Sequence, residues 1–514
     1  MARNNNVQDF VKDVADAVRY KTNSSNLINP QDIPEIIRDL ETGQGNAYVD
    51  IFDNGDGTQV VYIDGDVYAD NTLPINEVYV NGESIPLYQE SGGGGSGEDR
   101  FKLFIQNELT EVKAEDFGET TRVTAYQFYN KSNIEKITMP ETIKYIDTYA
   151  FYGTGIKHID LPENIETIYS DAFRNCANLE SFTIPSKVTN LTMRTLANCT
   201  SLKSITIPEN ITTIGSSVLQ DCSGLTEINY NATNISSISS SNYITQGAGL
   251  NSTGIIVNIG ANVKQIPDYL FNPYSSTTTA SYLNNITKVN FTEDSVCTRI
   301  GGYAFKHCQK MTSINLPETI TSIDGYAFDG CSGLTSITIP SKVTTINNYL
   351  FQNCSNLTTI NLPSGVTSIG NYAFYGCKAL PSVNLPSGIT SIGANAFYSC
   401  EKLQSITLPN NLTTIGNYAF GYCKGLTSIT IPSGVTSIGS CAFASCTTLE
   451  TAYIYPTSST TKANSSSGGW FYNAKSGLII HAPSSLNATT SKTAFGNYWN
   501  YRTSSATHTT YYDL

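Results

Sequence analysis

Seven cysteines fall at one interval: Cys308, Cys331, Cys354, Cys377, Cys400, Cys423 and Cys446 lie 23 residues apart. A period of that length marks a chain of stacked supersecondary units, each too small to bury its own apolar face. In the unit beginning at Cys331 the apolar positions are Leu334, Ile337, Ile339, Val343, Ile346, Leu350 and Phe351. Leu334, Ile337 and Ile339 give strand alternation, so one face of a short strand is buried. Pro340 lacks an N–H and ends that strand, and prolines keep the beat at 140, 162, 185, 208, 317, 340, 363, 386, 409 and 432. Val343 and Ile346 begin a return segment, Gly370, Gly393, Gly416 and Gly439 are expected to permit the turn after it, and Phe fills the interior. The expected architecture is a mainly β solenoid of ~23-residue units, with Phe328, Phe351, Phe374, Phe397, Phe420 and Phe443 aligned inside.

The beat runs through Cys176, Cys199 and Cys222, and more loosely from about residue 100. It breaks between Cys222 and Cys308, where degenerate units (IIVNIGANVKQIPDYLF, NNITKVNF) alternate with Ser/Thr-rich insertions such as SSTTTASY. After Cys446 an aromatic-rich stretch holds Trp470, Phe471, Tyr472, Phe495, Tyr498, Trp499 and Tyr501, which reads as the cap that a last coil requires.

The first part of the chain is different in kind. Val7, Phe10, Val11, Val14 and Val18 share one helical face, and Ile33, Ile36, Ile37 and Leu40 repeat with helical spacing after Pro30. Residues 46–90 read as strands, YVDIF and QVVYI flanking a turn at Asn54-Gly55-Asp56-Gly57, and SGGGGSG at 91–97 reads as a flexible linker. Charge follows the same division: residues 1–120 carry 23 acidic and 8 basic side chains, the remaining 394 carry 20 and 22, and the whole chain has a formal charge of −13. Neither part suits a nucleic acid or an anionic membrane. The domains expected are a helical attachment module (1–42), a small acidic β module (46–90), a linker (91–99), the solenoid (100–455, irregular at 230–300) and a C-terminal cap (456–514).

The repeat pattern C-x2-L-x2-I-x-[IL]-P-x2-[VI]-x2-I-x3-A-F resembles the BspA-like bacterial leucine-rich repeats, over roughly residues 100–455. Early units depart from it: Leu196 and Leu219 stand for Phe, and Thr154 for Cys. The resemblance implies a leucine-rich-repeat solenoid used as a binding scaffold, with surface adhesins among its members and no catalytic residues. Residues FVKDVADAVRYKTNSSNLINPQDIPEIIRDL resemble a short helical module at the start of bacteriophage structural proteins. The start of the chain shows no signal-peptide h-region, and no stretch approaches the ~20 apolar residues of a membrane span. The resulting expectation is a bacteriophage virion protein (tail, baseplate or head fibre), docked to other virion proteins through residues 1–90, oligomeric in the particle and contacting a host protein or glycan. The alternatives are a bacterial cell-surface adhesin of the same repeat family and, third, a glycan hydrolase.

No catalytic, cofactor or metal site is expected. His158, His307, His481 and His508 are scattered, no C-x-x-C accompanies His307, and Asp50, Asp53, Asp56, Asp64 and Asp66 do not have EF-hand spacing. The phased cysteines are expected to be reduced and to behave as small buried hydrophobes, with Cys441, in a variable slot, the most exposed thiol. Small polar ladders such as Ser336/Thr338 and Thr359/Asn361 make poor anchors. The candidate contact surface is therefore aromatic: the row Tyr303, Tyr326, Tyr349, Tyr372 and Tyr418, together with Trp470, Trp499 and Tyr501. Stacking of the tyrosines on one another is the competing structural explanation of the row.

Overall fold

A computed structural model describes residues 110–235, 238–273, 284–455 and 469–482, together with the strand backbones Val49–Asp53, Gln59–Ile63, Glu77–Val80, Glu83–Pro86 and Thr509–Tyr511. The expected N-terminal helices, the 91–99 linker, the side chains of the Asp-rich segment, the SSTTTASY insertion, His508, Trp499 and Tyr501 lie outside the described residues. The chain divides into two compact units, Met1–Leu179 and Glu180–Leu514.

In the first unit, Val49–Asp53 and Gln59–Ile63 pair antiparallel, Gln59–Ile63 and Glu77–Val80 parallel, and Glu77–Val80 and Glu83–Pro86 antiparallel. From Glu111 onward the repeat takes over. Glu111–Val112, Lys136–Thr138 and His158–Asp160 form one parallel sheet, and Arg122–Val123, Tyr145–Ile146 and Thr167–Ile168 a second. Phe128, Phe151 and Phe173 are fully buried and stack at 5.2 and 4.9 Å.

The second unit repeats the same plan with more regularity. A six-stranded parallel sheet runs from Ser181–Phe182 through Ser204–Ile207, Glu227–Tyr230, Ile255–Ile259 and Ile286–Phe291 to Ser313–Ile314. The irregular stretch at 230–300 therefore keeps its strands in the ladder, with one register shift between Ile255 and Ile256. On the return side Thr345–Ile346, Ser368–Ile369, Ser391–Ile392, Thr414–Ile415 and Ser437–Ile438 form a five-stranded parallel sheet with like residues opposite like. Between the two strands Pro340 opens a tight turn that the Val343 N–H closes on the Pro340 carbonyl at 3.1 Å. In that strand the alternation holds: Ile337 is buried while Ser336 and Thr338 are exposed.

The third side of each coil contains no strand, yet its backbone is paired to the next coil. The N–H groups of Tyr349, Phe351 and Asn353 donate to the carbonyls of Asn371, Ala373 and Tyr375 at 2.8, 2.8 and 2.7 Å. This alternation needs left-handed residues, which occur twice per coil, as at Tyr349 (φ 61°) and Asn353 (φ 58°). The glycines expected to make the turn do something else. Gly370, Gly393, Gly416 and Gly439 lie outside the left-handed region; a Cβ on Gly393 would sit 2.5 Å from the Asn371 nitrogen and 2.6 Å from the Gly370 carbonyl carbon. They are glycine because the preceding coil's backbone occupies the place of a side chain.

Phe305, Phe328, Phe351, Phe374, Phe397, Phe420 and Phe443 are fully buried and stack with centroids 5.1–5.7 Å apart. The ladder continues to Phe471, 5.5 Å from Phe443, and the strand ladder continues through Thr451–Ile454 and Ile479–His481 to Thr509–Tyr511. The repeat architecture thus extends past residue 455.

Candidate functional site

All twelve cysteines are free and buried. Cys441, expected to be the most exposed, is completely buried. It occupies the tyrosine slot of its coil with φ 56°, and it bonds to Tyr418, whose hydroxyl pKa is pushed up to about 12 by that hydrogen bond and then by burial. The phased thiols are more than hydrophobic filler. Cys377 Sγ donates to the Phe351 carbonyl of the preceding coil at 3.2 Å, and the same contact recurs from Cys331 to Cys446 at 3.1–3.2 Å. That carbonyl also accepts the Cys354 N–H at 3.1 Å, so the sulfur occupies its second lone pair in a place no water reaches. Burial pushes the Cys308 and Cys446 thiols up to about 12 and Cys331, Cys377 and Cys423 well above their ordinary value. Such thiols are poor nucleophiles and poor metal ligands.

Among the described residues no three His, Cys, Asp or Glu side chains are placed to hold a metal ion, and no helix is long and apolar enough to cross a membrane. His307 is held neutral, its pKa lowered to about 4 by burial and then by Lys306. His481 stacks on Tyr453 at 4.8 Å, far in sequence from the other two described histidines.

The tyrosine row is a continuous stack. Tyr269, Tyr303, Tyr326, Tyr349 and Tyr372 follow one another with centroids 4.7, 4.6, 4.2 and 4.7 Å apart and ring planes within 8°. Tyr269 belongs to the row although the irregular spacing hides it in the sequence. Each tyrosine lies in the left-handed region, φ 56–63°, which costs roughly 1–2 kcal/mol for a residue with a Cβ. Stacking, about 0.5–1.5 kcal/mol per pair, and the inter-coil bond of each tyrosine N–H offset that strain. Because the rings cover one another's faces, their edges and hydroxyls are what remains open to solvent. At Asn395 the row loses a ring, and the aromatic path moves sideways through Tyr375, Tyr398 and Tyr422. Tyr418 meets Tyr398 edge to face at 6.2 Å. Trp470, expected in the contact surface, is fully buried and donates nothing to it.

Beside the row lies an open groove of about 550 Å³ spanning five coils. Gly370, Gly393, Gly416 and Gly439 form its floor, with Thr345, Ser368, Ser391, Thr414 and Ser437 along one side and Asn348, Asn371 and Asn417 along the other. Each asparagine oxygen is pinned: Asn348 Oδ1 accepts the Asn371 N–H at 2.7 Å, Asn371 Oδ1 the Ala394 N–H at 2.7 Å, and Asn417 Oδ1 the Ser440 N–H at 2.8 Å. In earlier coils the same lane is charged. Asp268 Oδ1 accepts the Gly302 N–H at 2.9 Å, and Arg299 bridges Asp268 and Asp324 at 2.7 and 2.6 Å. The groove opens where the side chain after the strand isoleucine, Asp324 and then Asn347, gives way to glycine.

These features define a leucine-rich-repeat solenoid with a stacked, mainly apolar interior and an outer surface built from ladders of polar and aromatic side chains. The chain belongs to the BspA-type leucine-rich-repeat family: the profile described as BspA type leucine rich repeat region (6 copies) matches residues 121–247, 281–403 and 367–503. Among solved structures, the chain is similar to a leucine-rich repeat protein from Bacteroides ovatus at 19% identity, covering 92% of this chain and 100% of that one with a TM-score of 0.45. A leucine-rich repeat protein from Eubacterium ventriosum shares 23% identity over 77% of this chain and 92% of that one, TM-score 0.36. A leucine rich cell surface protein from Faecalibacterium prausnitzii shares 21% identity over 56% and 85%, TM-score 0.24. No curated protein matches the chain. The resemblance of the N-terminal segment to phage modules has no counterpart in these comparisons.

Proposed function

We propose that this chain is an adhesin-like bacterial surface protein, a non-enzymatic scaffold that binds a host or neighbouring-cell partner through its repeats. The observation that carries the reading is the tyrosine row: five rings held in a strained backbone conformation and kept half-exposed. Membership of the BspA-type family supports this choice over the virion reading, for which the comparisons give no support. The hydrolase reading has no pair of carboxylates in the groove to support it.

The test uses the full chain with Tyr326→Asn, Tyr349→Asn and Tyr372→Asn. Asparagine tolerates the left-handed conformation and is the native residue in this slot at Asn395, so the coils are expected to remain folded. Binding to cultured host cells should fall by about tenfold or more, as expected when aromatic anchors are lost. Binding at the parental level would remove the tyrosine row from the interface.

A further inference from the structure

We infer that the groove over residues 345–439 binds an extended, neutral polysaccharide strand. This goes beyond the adhesin reading, which rests on the tyrosine row and could stand with the groove empty. The first argument is charge. None of the eighteen residues lining the groove is ionisable, so an anionic or cationic polymer laid along it would surrender hydration without finding a counter-charge. Hydroxyls and amides, in contrast, match a polyhydroxylated partner donor for acceptor.

The second argument is preorganisation. The amide oxygens of Asn348, Asn371 and Asn417 are fixed by the next coil's N–H. Each amide plane is therefore set, and each NH2 half is held as a donor with little ordering left to lose on binding. Paired strands of successive coils lie about 4.8 Å apart, a spacing of the same order as one sugar residue in an extended glycan, so each coil can face about one ring along the groove. The glycine floor lets a flat ring approach the backbone. The wall drops at Ala394–Asn395, where alanine stands in the asparagine slot and asparagine in the tyrosine slot, leaving room for a substituent.

The third argument excludes a peptide strand. The groove lies over the face of a sheet whose backbone groups are already paired coil to coil. Strand addition requires an unpaired edge, and this face has none to give.

The experiment is affinity electrophoresis of the full chain through gels containing hydroxyethyl cellulose, galactomannan or arabinoxylan, with polygalacturonate as the anionic control. At least one neutral polymer should retard the protein. The triple variant Asn348→Asp, Asn371→Asp, Asn417→Asp keeps every pinned oxygen, as Asp268 does in the same slot, and replaces each amide donor by a charged acceptor. Its apparent affinity should drop by about tenfold, equivalent to 1.4 kcal/mol. Thr414→Val, which removes one groove hydroxyl in place, gives a smaller loss in the same direction and serves as the readout should the triple variant melt early. The Tyr326→Asn, Tyr349→Asn, Tyr372→Asn variant should remain retarded; its failure to be retarded would assign the glycan to the ring row. That result, retardation by polygalacturonate alone, retardation by no polymer, or parental retardation of both groove variants would overturn the proposal. Host-cell binding is scored separately, so loss of one reading leaves the other measurable.

Discussion

The irregular coils at 245–300 and the regular run from Cys308 to Cys446 meet one interior requirement with different atoms. In the regular run the phenylalanine carbonyl takes a backbone N–H from its own coil and a thiol from the next, as Phe351 does from Cys354 and Cys377. In the irregular coils no phased cysteine is present. There the Phe271 carbonyl takes Asn284 Nδ2 at 2.9 Å, Thr245 Oγ1 at 3.5 Å and Cys308 Sγ at 3.4 Å. Asn284 and Thr245 are both buried, so the substitution places an amide and a hydroxyl inside the stack. The first unit offers a third solution, with Thr154 Oγ1 on the Phe151 carbonyl at 2.9 Å beside Cys176 Sγ at 3.0 Å. What is conserved along the chain is a buried donor for one carbonyl. Cysteine supplies it with a small side chain that is a weak donor and otherwise behaves as a buried hydrophobe.

Alkali is expected to separate the two regions most strongly. An unfolded thiol ionises near its ordinary value of 9.0, while burial pushes Cys308 and Cys446 up to about 12 and raises Cys331, Cys377 and Cys423 well above that ordinary value. A folded pKa raised in this way contributes stability that is complete below pH 9 and lost as pH rises toward 12. With seven phased thiols, the regular run should lose hydrogen-exchange protection in that window before the coils at 245–300 do. Equal protection in both regions at pH 11 would reject the thiol origin of the effect.

Next in size is the ring ladder. Phe374→Ala removes a fully buried ring stacked on both sides and should cost about 3–5 kcal/mol in urea unfolding. Gly393→Ala follows: its Cβ would meet backbone at 2.5 Å, and overpacking of this kind costs roughly 1–3 kcal/mol. Gly365, whose Cβ would meet only Ser341 O at 3.7 Å, should accept alanine without loss, which makes the pair a control for close approach.

The smallest effect sharpens the comparison itself. Cys377→Ala leaves the Phe351 carbonyl its backbone donor and should cost about 1 kcal/mol, while Asn284→Ala strips the nearest donor from Phe271 and should cost about 1–3 kcal/mol. Chemical denaturation of the two single variants measures the difference. A larger loss at Cys377 would mean that the sulfur acts through packing and that the carbonyl is incidental.

Much of this was legible in the amino-acid order because stacking repeats each environment once per coil. The 23-residue spacing of Phe and Cys, the strand alternation around Ile337 and Ile339, and the stop at Pro340 follow from local chemistry alone. Other features were hidden because the partner of each residue lies one coil away. Gly370 and Gly393 look like turn residues until the backbone of the neighbouring coil is seen where a Cβ would be. Cys441 looks exposed because its slot holds tyrosine elsewhere, and its burial depends on Tyr418 and its surroundings. Tyr269 joins the row although the sequence beat is broken around it. Trp470 looks like a binding-tip residue by composition and is core by packing.

The sequence by itself determined the fold and the family of this protein: period, alternation and punctuation are properties of the covalent chain, and they permit one way of burying the apolar face. Only the tertiary structure decided which donor each interior carbonyl takes, that the tyrosine faces are spent on one another, and that glycines and pinned asparagines line a neutral groove. Those outcomes depend on distances of a few ångströms between residues 13–37 positions apart, and no local pattern encodes a distance across coils.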